Sequence, residues 1–251
     1  MNAITPLVSI CIPNYNNAQH VSDAIDSALN QTYPNIEVII VDNCSEDNSW
    51  EIVTSYGDKL RSYRNQRNMG MVVNFRLALQ YAKGHYVTLL CSDDILFIET
   101  IDRMVEMLES NPDCSFAFGN VQYIGAKAGG TNFNFPNIVD PGMWIDASVK
   151  NGRNMAYLVG TVFKRLHENS SKTIVNMTFF DWYLWLRLGR DKALFLNDFV
   201  GSHRYHKFNQ TNQLTNGIFD NYNQLKDVVN LAYRNNLINK GQFIDCIDNM
   251  T

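Results

Sequence analysis

Candidate chemistry in this chain begins with its carboxylates. Asp93 and Asp94 end the run His85-Tyr86-Val87-Thr88-Leu89-Leu90-Cys91-Ser92, which reads as a buried strand. Two acids at the mouth of such a strand are costly unless their charge is balanced. A divalent cation would balance it, and hard carboxylate oxygens suit Mg²⁺ or Mn²⁺. The same acids could instead cap a helix over Ile95–Ser110, because Asp is a favoured N-cap. Asp42 ends another apolar run, Ile36–Val41. A carboxylate there could accept hydrogen bonds from a base or ribose, or serve as a turn or cap residue. Asp181 lies between Phe180 and Trp182. Desolvation would raise its pKa and suit a general base; the other reading is an N-cap for the helix that follows. His203 and His206 could bind metal or phosphate, or be structural. Arg204 could neutralise phosphate, or stand as a surface cation.

The elements that must position these groups follow from hydrophobic periodicity. Leu7–Ile12 reads as a buried strand, ended by the polar loop Pro13-Asn14-Tyr15-Asn16-Asn17. Val21, Ala24, Ile25, Ala28 and Leu29 mark one face of a helix, stopped by Pro34. Strand Ile36–Val41 runs into Asp42-Asn43-Cys44-Ser45-Glu46-Asp47, and Ser45 or Asp47 could cap a helix holding Trp50, Val53 and Tyr56. A short strand is expected at Leu60–Arg64, a turn at Asn65–Gly70, and a helix at Met71–Ala82 with Lys83-Gly84 as its C-cap. Cys114–Phe118 is a further strand after the helix that Pro112 terminates. Strand and helix thus alternate, which implies a parallel sheet flanked by helices, with a ligand site at the carboxyl ends of its strands.

The second half is less regular. Gly125–Gly142, rich in Gly, Asn and Pro, reads as a loop. Asn154–Leu166 reads as a helix leading into a strand, or as a strand alone. A short helix at Asp181–Leu188, a strand at Ala193–Val200 and two terminal helices, Asn221–Leu237 and Gln242–Met250, complete the expectation.

Bulk properties exclude several classes. The 251 residues allow one large α/β domain, or one domain with an appendage. A net charge of −4 argues against a nucleic-acid binder that depends on bulk charge. No apolar stretch approaches the roughly 20 residues that span a bilayer. Met1–Pro6 shows no signal-peptide pattern. The 5 cysteines are odd in number and widely spaced, consistent with buried thiols in a reducing cytosol. The Gly-rich fingerprints of dinucleotide and P-loop enzymes, the Gly-x-Ser-x-Gly elbow and the common zinc patterns do not occur.

Together the motifs resemble family 2 glycosyltransferases of the GT-A fold. The resemblance rests on Val8-Ser9-Ile10-Cys11-Ile12-Pro13-Asn14-Tyr15-Asn16, Ile39-Ile40-Val41-Asp42-Asn43-Cys44-Ser45-Glu46-Asp47, Asn68-Met69-Gly70 and Leu89-Leu90-Cys91-Ser92-Asp93-Asp94. It continues through Asp181-Trp182-Tyr183-Leu184-Trp185-Leu186-Arg187 and Arg204-Tyr205-His206. It implies a Rossmann-type, mostly parallel sheet with a helical C-terminal acceptor region. It divides the chain into a nucleotide-sugar half (1–120), an acceptor half of the same domain (121–210) and a helical extension (211–251).

The implied activity is inverting, hexosyltransferase-type transfer from a nucleotide diphosphate-sugar, UDP- or dTDP-linked, to an acceptor hydroxyl. The context is bacterial surface glycan synthesis, with a glycan or lipid-linked glycan acceptor, in the cytoplasm or at the inner face of the membrane. By the same resemblance Pro13, Tyr15, Asp42, Asn68 and Gly70 line the donor pocket, and Asp93 lies at the ribose or the metal. Asp94 and His206 hold Mn²⁺ or Mg²⁺, and Asp181 is the base. Three places depart from the common pattern: the acid run often begins one position earlier with Asp, but here Cys91 and Ser92 precede the pair; Phe180 stands where an acid often precedes the base; and Cys44 stands where Gly is usual, read as a packing change. A Mg²⁺-dependent sugar nucleotidyltransferase and a non-catalytic nucleotide-sugar binder are the competing readings. The aromatic second half could rest on a membrane surface, although core packing explains the same residues.

Overall fold

The computed structural model describes residues 5–150, 155–165, 179–206 and 218–249. Strand β1 (Val8–Asn14) pairs in parallel with β2 (Ile36–Asp42) on one side and β4 (Tyr86–Leu89) on the other. β2 pairs in parallel with β3 (Arg61–Arg64). Helices α1 (Val21–Leu29), α2 (Ser49–Ser55) and α3 (Met71–Tyr81) make the crossovers. Alternation therefore builds a parallel half-sheet, as the apolar runs imply.

Beyond β4 the sheet becomes mixed. The strand next to β4 is β9 (Val162–Lys164), antiparallel to it and to β6 (Cys114–Gly125). β6 then pairs in parallel with β10 (Lys192–Tyr205). Two reversals restore the direction, so β1, β2, β4, β6 and β10 all end at the same edge. The stretch Asn154–Leu166 resolves to a strand preceded by turns in its described part, 155–165; Asn154 and Leu166 lie outside the described residues.

Side-chain alternation sorts the core into two layers. Val8, Ile10 and Ile12 of β1 pack with α1 and with Ile101, Met104 and Leu108 of α4 (Thr100–Ser110). Cys11, Ile39, Val41, Val87 and Leu89 face the other way. They meet α3, α5 (Pro141–Lys150), α6 (Phe180–Leu188) and α7 (Ile218–Arg234). A period of two with both faces covered explains why apolar residues fall on both faces of these strands. Each fully buried Ile or Leu contributes about 1.5–3 kcal/mol relative to exposure. Helix α8 (Lys240–Asn249) packs on α5 and α7.

Several local expectations change. Asp93 and Asp94 cap nothing: the chain forms the short strand β5 (Ile95–Leu96), and α4 begins only at Thr100, with Glu99 as N-cap. Gly125–Gly142 is not a plain loop; it holds β7 (Gly129–Gly130), β8 (Ile138–Val139) and the start of α5. Helix α3 ends at Tyr81 with Ala82 as its C-cap, and Gly84 serves a different need. A Cβ there would stand 2.6 Å from the Ser9 nitrogen and 2.8 Å from the Leu7 carbonyl oxygen, so Gly84 lets the chain pass close to β1. Asn48 takes the N-cap position of α2 without a side-chain cap bond, and the Asp47 carboxylate accepts the amide of Ser49, the first helical residue, at 3.0 Å; Ser45 bonds Asp42 instead. The terminal helices span Ile218–Arg234 and Lys240–Asn249, and Met250 lies outside the described residues. Among the described residues no helix is long and apolar enough to cross a membrane.

Candidate functional site

The carboxyl ends of the parallel strands form one continuous polar edge. β1 delivers Asn14 and, one residue on, Tyr15, which is 42% exposed. Pro13 is buried opposite Val41 in the sheet, so it shapes the edge through the backbone. β2 delivers Asp42, whose carboxylate is fully buried. It accepts hydrogen bonds from Asn14 Nδ2 (2.8 Å), from the Ser45 amide (3.0 Å) and from the Ser45 hydroxyl. Arg64 Nε stands 3.4 Å away. Asp42 therefore organises the strand ends around it.

A web of asparagines continues from there. Asn43 donates to Asn68 Oδ1 (2.8 Å), and its own Oδ1 accepts from Asn65 Nδ2 and from the Met69 amide, both at 2.9 Å. Asn68 Oδ1 also accepts from the Gly70 amide (2.9 Å). Asn74 on α3 ties the web to the sheet by donating to the Val41 carbonyl (2.9 Å). The web fixes the 65–70 turn and leaves Met69 40% exposed beside the edge. Asn43, Asn65 and Asn74 were not singled out from sequence. Their signal is the recurrence of asparagine at the end of β2, at the end of β3 and in the first turn of α3.

The Ser92–Asp94 turn lies next along the edge, after β4. Asp93 and Asp94 point to different partners. Asp93 Oδ2 stands 2.9 Å from His206 Nε2. Asp94, 1% exposed, accepts from the Arg204 amide (2.9 Å) and faces His203 Nδ1 at 3.1 Å. Arg204 Nε donates to the Asp93 carbonyl (2.8 Å), and its guanidinium reaches Asp23 Oδ2 at 2.9 Å. The tail of β10 thus reads the acidic turn residue by residue. Register shifts between Leu196 and Gly201 in the β10–β6 ladder mark an irregularity before that tail, a common device for re-aiming side chains beside a site.

Electrostatics follow this geometry. Burial, and then the charge of Asp94, push the Asp93 carboxyl above its ordinary range despite His206 and His203. Burial alone would lower His203, but Asp94 beside it outweighs that and raises it. His20, whose ring lies 5.4 Å from that of His206, is lowered by burial and by the positive charges of Arg204 and His206. Burial pushes the Cys91 thiol well up, and Asp94, Asp93 and Asp181 add to it. That last influence places Asp181 within electrostatic reach of the acidic turn.

Asp181 is not the N-cap of α6. Phe179 takes that position, and Asp181 sits within the first helical turn, half-buried. A carboxylate there is favoured by the helix dipole. Phe180, preceding it, is buried and lies 4.8 Å from the Phe75 ring. It anchors α6 to α3 instead of adding a second acid.

Ligand atoms of Cys91, Asp93 and Asp94 lie within 4.8 Å of one another. Two carboxylates with an adjacent imidazole suit a hard divalent ion. A protonated thiol does not add to that donor set, because the thiolate is the ligand form.

Comparison with known proteins bears on the family and the fold. Residues 9–140 match glycosyl transferase family 2. An uncharacterised glycosyltransferase of Rickettsia felis is 37% identical over 145 residues, covering 56% of this chain and 24% of that protein. The Escherichia coli UDP-Glc:alpha-D-GlcNAc-diphosphoundecaprenol beta-1,3-glucosyltransferase WfgD is 34% identical over 119 residues, 47% of either chain. The chain thus spans between about a quarter and a half of the length of these curated relatives. The mannosyltransferase PcManGT of Pyrobaculum calidifontis, solved with GDP-Man and Mn²⁺, superposes with a TM-score of 0.67 at 17% identity. That match covers 98% of this chain and 69% of the other, and it shows a shared GT-A fold. The chain belongs to glycosyl transferase family 2.

Proposed function

We propose that this chain transfers a sugar, with inversion, from a nucleotide diphosphate-sugar to an acceptor hydroxyl. The observation that carries the reading is the Asp93–His206 pair at the carboxyl edge of the parallel strands, with Asp181 near enough to Cys91 of the same turn to influence its thiol. Inversion needs only one base, on the face of the sugar opposite the leaving group, and Asp181 is the carboxylate assigned to it. The donor nucleoside lies against Tyr15 and the Asn68–Gly70 turn, over the floor built by Pro13 and Asp42. Residues 1–120 supply this donor half, 121–210 the acceptor half, and 211–251 a helical extension.

Asp181 takes the proton of the acceptor hydroxyl onto a carboxylate oxygen. The acceptor oxygen bonds to the anomeric carbon while the bond from that carbon to the diphosphate breaks. The electron pair leaves with the nucleoside diphosphate. Asp93 and His206 would hold a divalent ion, Mn²⁺ or Mg²⁺, with Asp94 behind them. Such an ion, when bound, supplies neutralisation of the charge that develops on the leaving diphosphate. This reading moves the direct contact from Asp94 toward Asp93, because Asp94 is already engaged by His203 and the Arg204 amide.

The similarity to WfgD, whose name gives UDP-Glc and a diphosphoundecaprenol-linked acceptor, favours a UDP-sugar and a lipid-linked glycan at the inner membrane face. The test is incubation of the purified chain with UDP- and dTDP-sugars, Mn²⁺ and such an acceptor. Release of nucleoside diphosphate with an inverted anomeric product supports the reading. Retention of configuration overturns the role of Asp181.

A further inference from the structure

Two aspartate–histidine pairs stand side by side at the edge, and they differ in burial. Side-chain exposure is 17% for Asp93 and 25% for His206, but 2% for Asp94 and 14% for His203. The outer pair is the more exposed of the two; the inner pair is the more buried. His203 Nδ1 reaches both Asp94 oxygens, at 3.1 and 3.2 Å. Its ring is held between Tyr157 (5.2 Å between centroids) and Tyr205 (4.9 Å). The Tyr157 hydroxyl is 3.1 Å from that of Tyr123, which keeps this wall in place.

We propose that His203 is a positioning residue for the divalent-cation site: through its hydrogen bond to Asp94 it fixes the Ser92–Asp94 turn so that Asp93 faces His206. The inference rests on the reading of Asp93 and His206 as the ion-holding pair. Asp94 is tied by its own amide to the Cys91 carbonyl (3.0 Å) and by its carboxylate to the β10 tail. Gly201 brings that tail against β5, since a Cβ there would lie 2.6 Å from the Ile95 carbonyl oxygen. With residue 94 held from both ends, its neighbour has little freedom to choose another direction. Supporting partners of metal ligands act in this way, and their loss commonly weakens affinity by about 10–100-fold.

The test is Mn²⁺ binding to the purified chain without nucleotide, measured from the free-ion signal in electron paramagnetic resonance. His203→Asn places an amide nitrogen where Nδ1 stands, so it should keep affinity near wild type. His203→Phe keeps a ring between the tyrosines but removes the donor. It should lose about 10–100-fold in affinity. Undiminished Mn²⁺ binding in His203→Phe overturns the proposal, as does an equal loss in His203→Asn with an unchanged melting temperature.

Asp94→Asn supplies a second arm should the phenylalanine variant fail to fold. As a support its loss leaves weakened but measurable binding, whereas Asp93→Asn abolishes it. Equal abolition by both makes Asp94 a ligand and overturns the assignment. A wild-type chain that binds no Mn²⁺ overturns the ion-holding reading itself, and this proposal with it.

Discussion

His206 Nε2 stands 2.9 Å from Asp93 Oδ2, across 113 positions of sequence. The contact joins the end of β10 to the turn after β4, two strands that are not neighbours in the sheet. It exists because the antiparallel β9 restores the strand direction between them, so both chain segments emerge at one edge.

If this pair holds the ion, nucleotide binding and metal must be linked through it. A nucleoside diphosphate at about 100 times its dissociation constant stabilises the fold by about 2.7 kcal/mol. With UDP as the probe, Mn²⁺ should raise the thermal midpoint further in the wild type. Asp93→Asn and His206→Ala should each lose the Mn²⁺-dependent part. Thermal-shift measurements with and without Mn²⁺ check this, and a full Mn²⁺ effect in Asp93→Asn would exclude it as a ligand.

Asp181 carries a different expectation. Replacement by Asn removes the proton acceptor but keeps the size of the side chain. General-base catalysis contributes about 10²–10⁴-fold, so kcat should fall by that factor. The KM for the donor should stay close to wild type, since the proposed role of Asp181 lies on the acceptor side. Steady-state kinetics separate the two. A large rise in donor KM with kcat preserved would place Asp181 on the nucleotide side.

Much of this arrangement is legible in the amino-acid sequence. The buried runs at Val8–Asn14, Ile36–Asp42 and Tyr86–Leu89 are apolar on both faces, and such strands announce a covered parallel sheet. The placement of β9 was not legible. Three residues carry too little pattern to show that they insert antiparallel between β4 and β6. The acidic turn was visible, but the partners of its two carboxylates were not. Those partners come from the β10 tail, and the register shifts before it have no signature in the side-chain pattern. The N-cap reading of Asp93 and Asp94 failed for a related reason: pairing of Ile95–Leu96 with Gly201–Ser202 overrides the local tendency to start a helix.

Acid stability should trace to a carboxylate far from the site. Glu37 on β2 accepts from Ser9 Oγ (2.6 Å), the Lys83 amide (2.7 Å) and Arg61 (2.6 Å). Burial alone would raise its pKa, but the Ser9, Lys83 and Arg61 hydrogen bonds outweigh it and hold the carboxyl below its ordinary range. A lowered folded-state pKa means that stability is present above the unfolded value and lost as pH falls through the folded one. Glu37→Gln should therefore be less stable than wild type at neutral pH. The gap should close as pH drops below the normal range for Glu. Urea midpoints across that range check it, and a gap independent of pH would show that charge is not the cause.

Cys44 tests the backbone of the donor loop. Its φ is +62°, a left-handed conformation that L side chains adopt at a cost of roughly 1–2 kcal/mol. Glycine is usual there because of this conformation, so the reading of Cys44 as a packing change gives way to a backbone requirement. The thiol offers little in return: its sulfur is 3.8 Å from the Gln66 carbonyl oxygen, at the surface. Cys44→Gly relieves the strain but adds freedom to the unfolded chain, which offsets about 0.4–1 kcal/mol. A net gain of about 0.5–1 kcal/mol should raise the melting temperature by about 1–4 °C for a chain of this length. Cys44→Val should lower it, because a β-branched side chain fits this conformation worst. Calorimetry of the two variants decides the matter. A valine variant as stable as the glycine one would mean that the loop relaxes out of the left-handed region, and that the Ser45 amide need not be held against Asp42.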